Sequence, residues 1–169
     1  AFLAATVGAK GENGYLDYWK SLKDNGVKVA KGWTEAYTGD FSGSSGKGPR
    51  PLVVSYATSP AFEVDEGAKE SRTVALLDTC FRQVEYAGVL AGAKNPEGAK
   101  AFVAYLLTRP VQASIPESMY VYPVAKEVAL PADWATWAKI APTPYAVSPQ
   151  TIDANRDAWL RQWTDLTTR

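Results

Sequence analysis

The sequence has no histidine, a single cysteine and no excess of either charge. Without histidine it lacks the usual general base and the commonest metal ligand. With Cys80 alone, neither an internal disulfide nor a cysteine-rich metal site can form. In "LLDTCFRQV" that cysteine reads as a small apolar core residue rather than a reactive thiol. Lys+Arg and Asp+Glu number 18 each, so no basic face is implied and nucleic acid is not an expected partner. No run of about 18 apolar residues is present, so nothing reads as a membrane span. The chain starts without Met inside an apolar stretch and shows no charged leader or cleavage site, which reads as a mature, processed or truncated piece.

Catalytic signatures are also missing. There is no G-x-x-x-x-G-K-[ST] and no G-x-S-x-G. "SGSSGKG" has the wrong spacing for a phosphate loop and precedes an apolar run, so it reads as a flexible polar surface loop. Nothing pairs a nucleophile with a base, and the chain reads as a binding protein rather than an enzyme.

What is present is a core and a wealth of rings. The 169 residues are 46% hydrophobic and include six Trp, nine Tyr and five Phe, enough for one domain or two small lobes. Helical spacing predicts helices in "AFLAATVGAK" and "YLDYWKSLKDNG", and a helical turn in "SPAFEVDEG". In "NPEGAKAFVAYLLTRP", Asn95 is a natural N-cap and Pro96 suits the first turn. Ala99, Phe102, Val103, Leu106 and Leu107 form its expected buried stripe. "PVQASIP" opens another short helix. The last helix, "SPQTIDANRDAWLRQWTDL", is capped by Ser148 and is expected to bury Ile152, Trp159, Leu160, Trp163 and Leu166. Apolar runs at 27–30, 52–55, 73–78 and 81–93 read as strands. Strands alternating with helices make the expected class α/β.

Several rings fall at the ends of these strands: Trp33 after 27–30, Tyr56 after 52–55, Phe62 in the turn after Ser59-Pro60, and Tyr120 and Tyr122 between prolines. Such positions are where α/β folds bind ligands, and aromatic faces suit a planar or cationic one. Thr58 and Ser59 would add polar contacts, and a helix starting at Ser59 would offer N–H groups to an anion. Rings that merely cap a core would look the same, and spacing alone leaves both readings open.

The segments "VKVAKGWTEAYTGDF", "PLVVSYATSPAF", "QVEYAGVLAGAKNPEGAKAFVAYLLTRPVQASIP" and "MYVYPV", in this order, resemble the thiamine-binding proteins of bacterial ABC importers. "GWTEAY" and "SYATSPAF" are the most specific parts; the "NPE" helix pattern is shared by many solute-binding proteins. The resemblance implies the second lobe of a type II periplasmic-binding-protein-like fold, with a hinge-crossing strand and C-terminal helices, the first lobe being absent. It divides the chain into a ligand-binding lobe core at 1–85, a hinge-crossing strand and helices at 86–125, and C-terminal helices at 126–169, with the hinge near 85–87. It implies that Trp33, Tyr56, Ser59, Phe62 and Tyr120 line a thiamine or thiamine phosphate site, with Tyr37 in the same motif. The family usually has Tyr at the position of Phe62 and Trp at that of Tyr120. No cofactor, metal or catalysis is implied. The implied partners are the thiamine-class ligand and a membrane permease, and the implied location is periplasmic or extracellular, compatible with a lipid anchor on the full-length protein. A surface left by the missing lobe could support a dimer. Ferric iron or another small organic solute is the alternative ligand, although no Tyr-Tyr pair exists. A self-contained carbohydrate-recognition domain is a further alternative that the dispersed motifs do not favour.

Overall fold

The structure is a computed structural model that describes residues 1–44 and 46–168. Its regular elements are helices: α1 (Phe2–Lys10), α2 (Tyr15–Asp24), α3 (Pro96–Leu106), α4 (Arg109–Met119), α5 (Ala132–Trp137) and α6 (Pro149–Thr168). Between them lie a wide π-type turn, Glu35–Asp40, and tight 3-10 turns at Ser59–Phe62 and Leu77–Thr79.

The caps follow the sequence. Asn95 accepts from Gly98 N–H at 2.9 Å at the start of α3, and Ser148 Oγ accepts from Thr151 N–H at 3.0 Å at the start of α6. The helix begun by "PVQASIP" runs further than expected, through Pro116 to Met119. Gly11 ends α1 with φ 71°, a conformation open to glycine.

The expected α/β sheet is not formed among the described residues. Pairing is limited to isolated bridges, Phe41 with Arg50, Val64 with Ser71 and Phe81 with Tyr145. The stretches 27–30, 52–55 and 82–90 carry no regular secondary structure, Phe81 makes one bridge, the chain turns at 91–92, and 73–78 passes into the Leu77–Thr79 turn. A strand is stabilised by cross-strand partners rather than by its own backbone. Without them Val29, Leu52, Val54, Val74 and Leu76 are exposed, and Tyr86 is 91% exposed.

Two compact units share the chain. The first takes the described residues of Ala1–Ser55, Leu76–Gln83 and Ala141–Arg169; the second takes Tyr56–Ala75 and Val84–Ile140.

The first unit is built on Trp19, which is buried with Val7, Tyr15 and Trp159. Phe2 and Trp163 meet it edge-to-face at 5.6 and 5.5 Å. Its indole N–H donates to Thr6 Oγ1 at 3.0 Å, and that hydroxyl donates to Leu3 O. The Tyr15 hydroxyl donates to Gln162, and its pKa is raised, first by burial and then by the Glu12 charge. Ile152, Trp163 and Leu166 pack on this core as expected. Leu160 does not: it lies one step round α6 from Trp159, off the buried stripe, and is exposed.

In the second unit α3 packs on α4. Its stripe is half-buried at Ala99, Val103 and Leu106, whereas Phe102 and Leu107 are exposed, against expectation, because no second element covers them. Gln112 is buried in α4. Its Nε2 donates to Leu106 O at 2.8 Å, and its Oε1 accepts from the N–H groups of Val124 and Ala125.

The loop read as flexible is closed at its base. Arg50 N–H donates to Asp40 O at 3.0 Å and Ser42 N–H to Arg50 O at 2.9 Å. Ser45 lies outside the described residues. A Cβ at Gly48 would stand 2.2 Å from Asp40 O, whereas one at Gly32 would meet nothing within 4 Å. Gly48→Ala is therefore expected to destabilise the protein by about 1–3 kcal/mol, and Gly32→Ala by less than about 0.5 kcal/mol. Urea unfolding of the two variants checks the difference; equal midpoints would contradict the close approach.

Candidate functional site

Each unit carries one group of rings. In the first, the stretch 27–30 leads through Gly32 to Trp33 and the wide turn Glu35–Asp40. Lys28 Nζ bridges Glu35 and Asp40 at 2.8 and 2.7 Å, fastening both ends of that turn. The Lys28 hydrogen bond, helped by Lys31 N–H, holds the Glu35 carboxyl below its ordinary value. The clasp is present at neutral pH and is lost as pH falls through that lowered value. The turn places Tyr37 beneath Trp33, buried and stacked at 4.6 Å and 14°. Phe41 backs Tyr37 at 5.6 Å. The Trp33 indole N–H donates to Ser55 Oγ at 3.0 Å, which fixes the ring within its plane. Trp33 is thus held from below and at its edge, with half its surface open.

In the second unit the Ser59–Phe62 turn is fastened from the side. Ser71 Oγ donates to Pro60 O at 2.7 Å, and Arg72 pairs with the buried Glu63 at 2.7 Å. Phe62 meets Tyr120 at 4.8 Å and 68°, and Trp134 at 5.5 Å and 89°. Tyr122 also meets Trp134, at 5.7 Å and 86°. Trp134 is buried, with Ala61 and Ala138 against it. These are edge-to-face contacts of the favourable kind.

Of the residues picked from sequence, the structure brings Phe62 and Tyr120 into contact. It ties Tyr56 to Ser59 through Ser59 N–H and Tyr56 O, 3.1 Å. Trp33 belongs to the first unit and the other four to the second. Trp33, Tyr56, Phe62 and Tyr120 are all 42–51% exposed, so each ring has an accessible face.

Two expectations are corrected. The Thr58 hydroxyl is not a ligand contact. It is 2% exposed and donates to Tyr120 O at 2.8 Å. Nor does the turn at Ser59 offer an anion site. It is four residues long; Ser59 N–H and Ala61 N–H already donate to Tyr56 O and Thr58 O, and Pro60 has no N–H. Sequence reasoning missed Trp134. Its signal was weak but present: Pro131 followed by Asp133 in a first turn, opening a helix of six residues.

Residues 5–142 match the model of a family described as bacterial extracellular solute-binding protein. The chain belongs to that family. As a solute-binding protein it is 38% identical to a thiamine-binding periplasmic protein of Salmonella typhimurium, over 89% of this chain and 44% of that protein. The proteins of the same name from Escherichia coli and Brucella melitensis are 36% and 34% identical over the same shares. The chain thus spans a little under half the length of these relatives. No solved structure matches it. Among the described residues no helix is long and apolar enough to cross a membrane, and no cluster of three or more His, Cys, Asp or Glu side chains could hold a metal.

Cys80 is half-buried rather than fully enclosed. Burial first, and the Asp78 charge second, raise its pKa above the ordinary 9.0. The thiolate is therefore scarce near neutral pH. Labelling by a disulfide reagent should be slower than for free cysteine at pH 7.5 and should still be rising above pH 9. A rate that levels off below pH 8 would contradict this environment.

Proposed function

We propose that this solute-binding protein is part of the thiamine-capturing component of an ABC importer, taking up thiamine or its phosphates outside the cytoplasm. The observation that carries this reading is the 38% identity, over 89% of the chain, to a thiamine-binding periplasmic protein. The half-open, anchored rings support it. A thiazolium is a flat cation, and a stacked Trp face attracts such a group by dispersion and by the ring quadrupole. In this reading Trp33, Tyr56, Ser59, Phe62 and Tyr120 contact the ligand.

The chain catalyses nothing and holds no cofactor in this account. Its stretches 27–30, 52–55 and 81–93 are read as strands of a two-lobed α/β type II fold. Closure about a hinge near 85–87 then presents the loaded protein to a membrane permease. The location is periplasmic or extracellular, with a lipid anchor compatible with either. The exposed apolar side chains would let the chain dimerise when expressed alone. The relatives are named for thiamine and none of these three for iron, which disfavours ferric iron as the ligand.

Thiamine titration of the full-length protein, followed by tryptophan fluorescence, tests the reading. Saturable quenching at micromolar ligand is expected. Trp33→Leu should weaken affinity about tenfold and remove much of the quench. The 169-residue chain alone should bind weakly, because a ligand is normally buried over most of its surface. A full-length protein that ignores thiamine and its phosphates would end this reading.

A further inference from the structure

We propose that Thr58 is a positioning residue: its buried hydroxyl sets the ring of Tyr120 against Phe62, so that the two rings meet the ligand as one preset pair. The proposal rests on the thiamine-binding reading above and adds the device that shapes the site.

The first observation is backbone strain. Among the described residues Tyr120 is the one non-glycine with positive φ, at 60°. This left-handed region disfavours a side chain with a Cβ, and tyrosine has no short polar group to bond locally in compensation. Such a conformation persists only where its surroundings impose it. Tyr120 ends α4, and its N–H donates to Pro116 O at 3.2 Å. That single bond leaves its carbonyl to be fixed from elsewhere.

The second observation is what fixes it. Thr58 lies 62 positions earlier and is almost fully enclosed, and its Oγ1 donates to Tyr120 O at 2.8 Å. A buried hydroxyl has one proton to give, and here it goes to the carbonyl of the strained residue. Four residues on, Gln112 Oε1 accepts from Val124 N–H at 2.8 Å, and from Ala125 N–H as well. The stretch 120–125 is therefore held at both ends.

The third observation is connectivity. Thr58 immediately precedes the Ser59–Phe62 turn. The segment that supplies the hydroxyl therefore also carries Phe62, the ring that Tyr120 meets at 4.8 Å. Releasing the carbonyl would let Tyr120 relax to an ordinary φ, which swings its Cβ and ring away from Phe62. The ligand would then have to reorder the pair on binding, and affinity would fall by the population of the competent arrangement.

The experiment combines amide hydrogen exchange with thiamine affinity, both in the full-length protein. The variants are Thr58→Val, Thr58→Ala, Thr58→Ser, Tyr120→Ala and the double variant Thr58→Val with Tyr120→Ala. Thr58→Val should speed exchange selectively at 120–122 and weaken thiamine binding about tenfold, with Thr58→Ser restoring both. On the Tyr120→Ala background Thr58→Val should cost little further affinity. Thr58→Ala serves as the second removal, should the valine methyl not fit. Unchanged exchange and affinity in both removal variants would overturn the proposal. So would an equal affinity loss with and without the Tyr120 ring, since that is what a merely structural hydroxyl would give. If exchange responds as expected while the wild type ignores thiamine, the tie stands and the thiamine reading falls.

Discussion

Edge-to-face packing of rings on one enclosed tryptophan is the interaction on which each unit depends. Trp19 gathers Phe2 and Trp163 in the first, and Trp134 gathers Phe62 and Tyr122 in the second. Helical order is local, but the way α1, α2 and α6 meet is set by the indole of Trp19 and its bond to Thr6. Likewise α5 matters for the single residue it delivers beneath Phe62. Large rings bury much area with few rotatable bonds, so a small set of them can hold short helices where no sheet is available.

The same constraint explains why rings can stay half-exposed without being loose. Trp33 is covered on one side by Tyr37 and held at its edge by Ser55. Phe62 is backed by Trp134, and Tyr120 leans on Phe62 while Thr58 holds its backbone. Trp33 and Phe62 thus each rest on a buried ring, Trp33 and the Tyr120 backbone are each held by a polar bond, and all three rings keep an accessible face. That is a preorganised surface, and preorganisation lowers the ordering cost that a ligand would otherwise meet.

Helices were legible in the sequence wherever the signal was local. The Asn95 and Ser148 caps and the helical spacing of Trp159, Trp163 and Leu166 in α6 each lie within a few residues of what they determine. Strands were not legible in the same way. The alternation at 27–30 and the apolar run at 52–54 are real, but a strand needs a partner, and among the described residues neither stretch has a bridge partner. Of the site, the exposed rings could be named from their motifs. The residues that hold them could not. Thr58 read as a ligand contact because the carbonyl it serves is 62 residues away, and Trp134 sits in a helix too short to show a period. Spacing alone also left ligand-binding rings and core-capping rings indistinguishable; in the structure all four rings are part-exposed, which leaves each a face that the proposed ligand could meet.

The central claim is that these particular rings receive a flat cation. Its most direct test is proton–proton Overhauser contact between bound thiamine and assigned aromatic protons in the full-length protein. Contacts from the thiamine rings to the Phe62–Tyr120 pair are expected. Saturating thiamine that shows contacts elsewhere and none to these rings would contradict the claim.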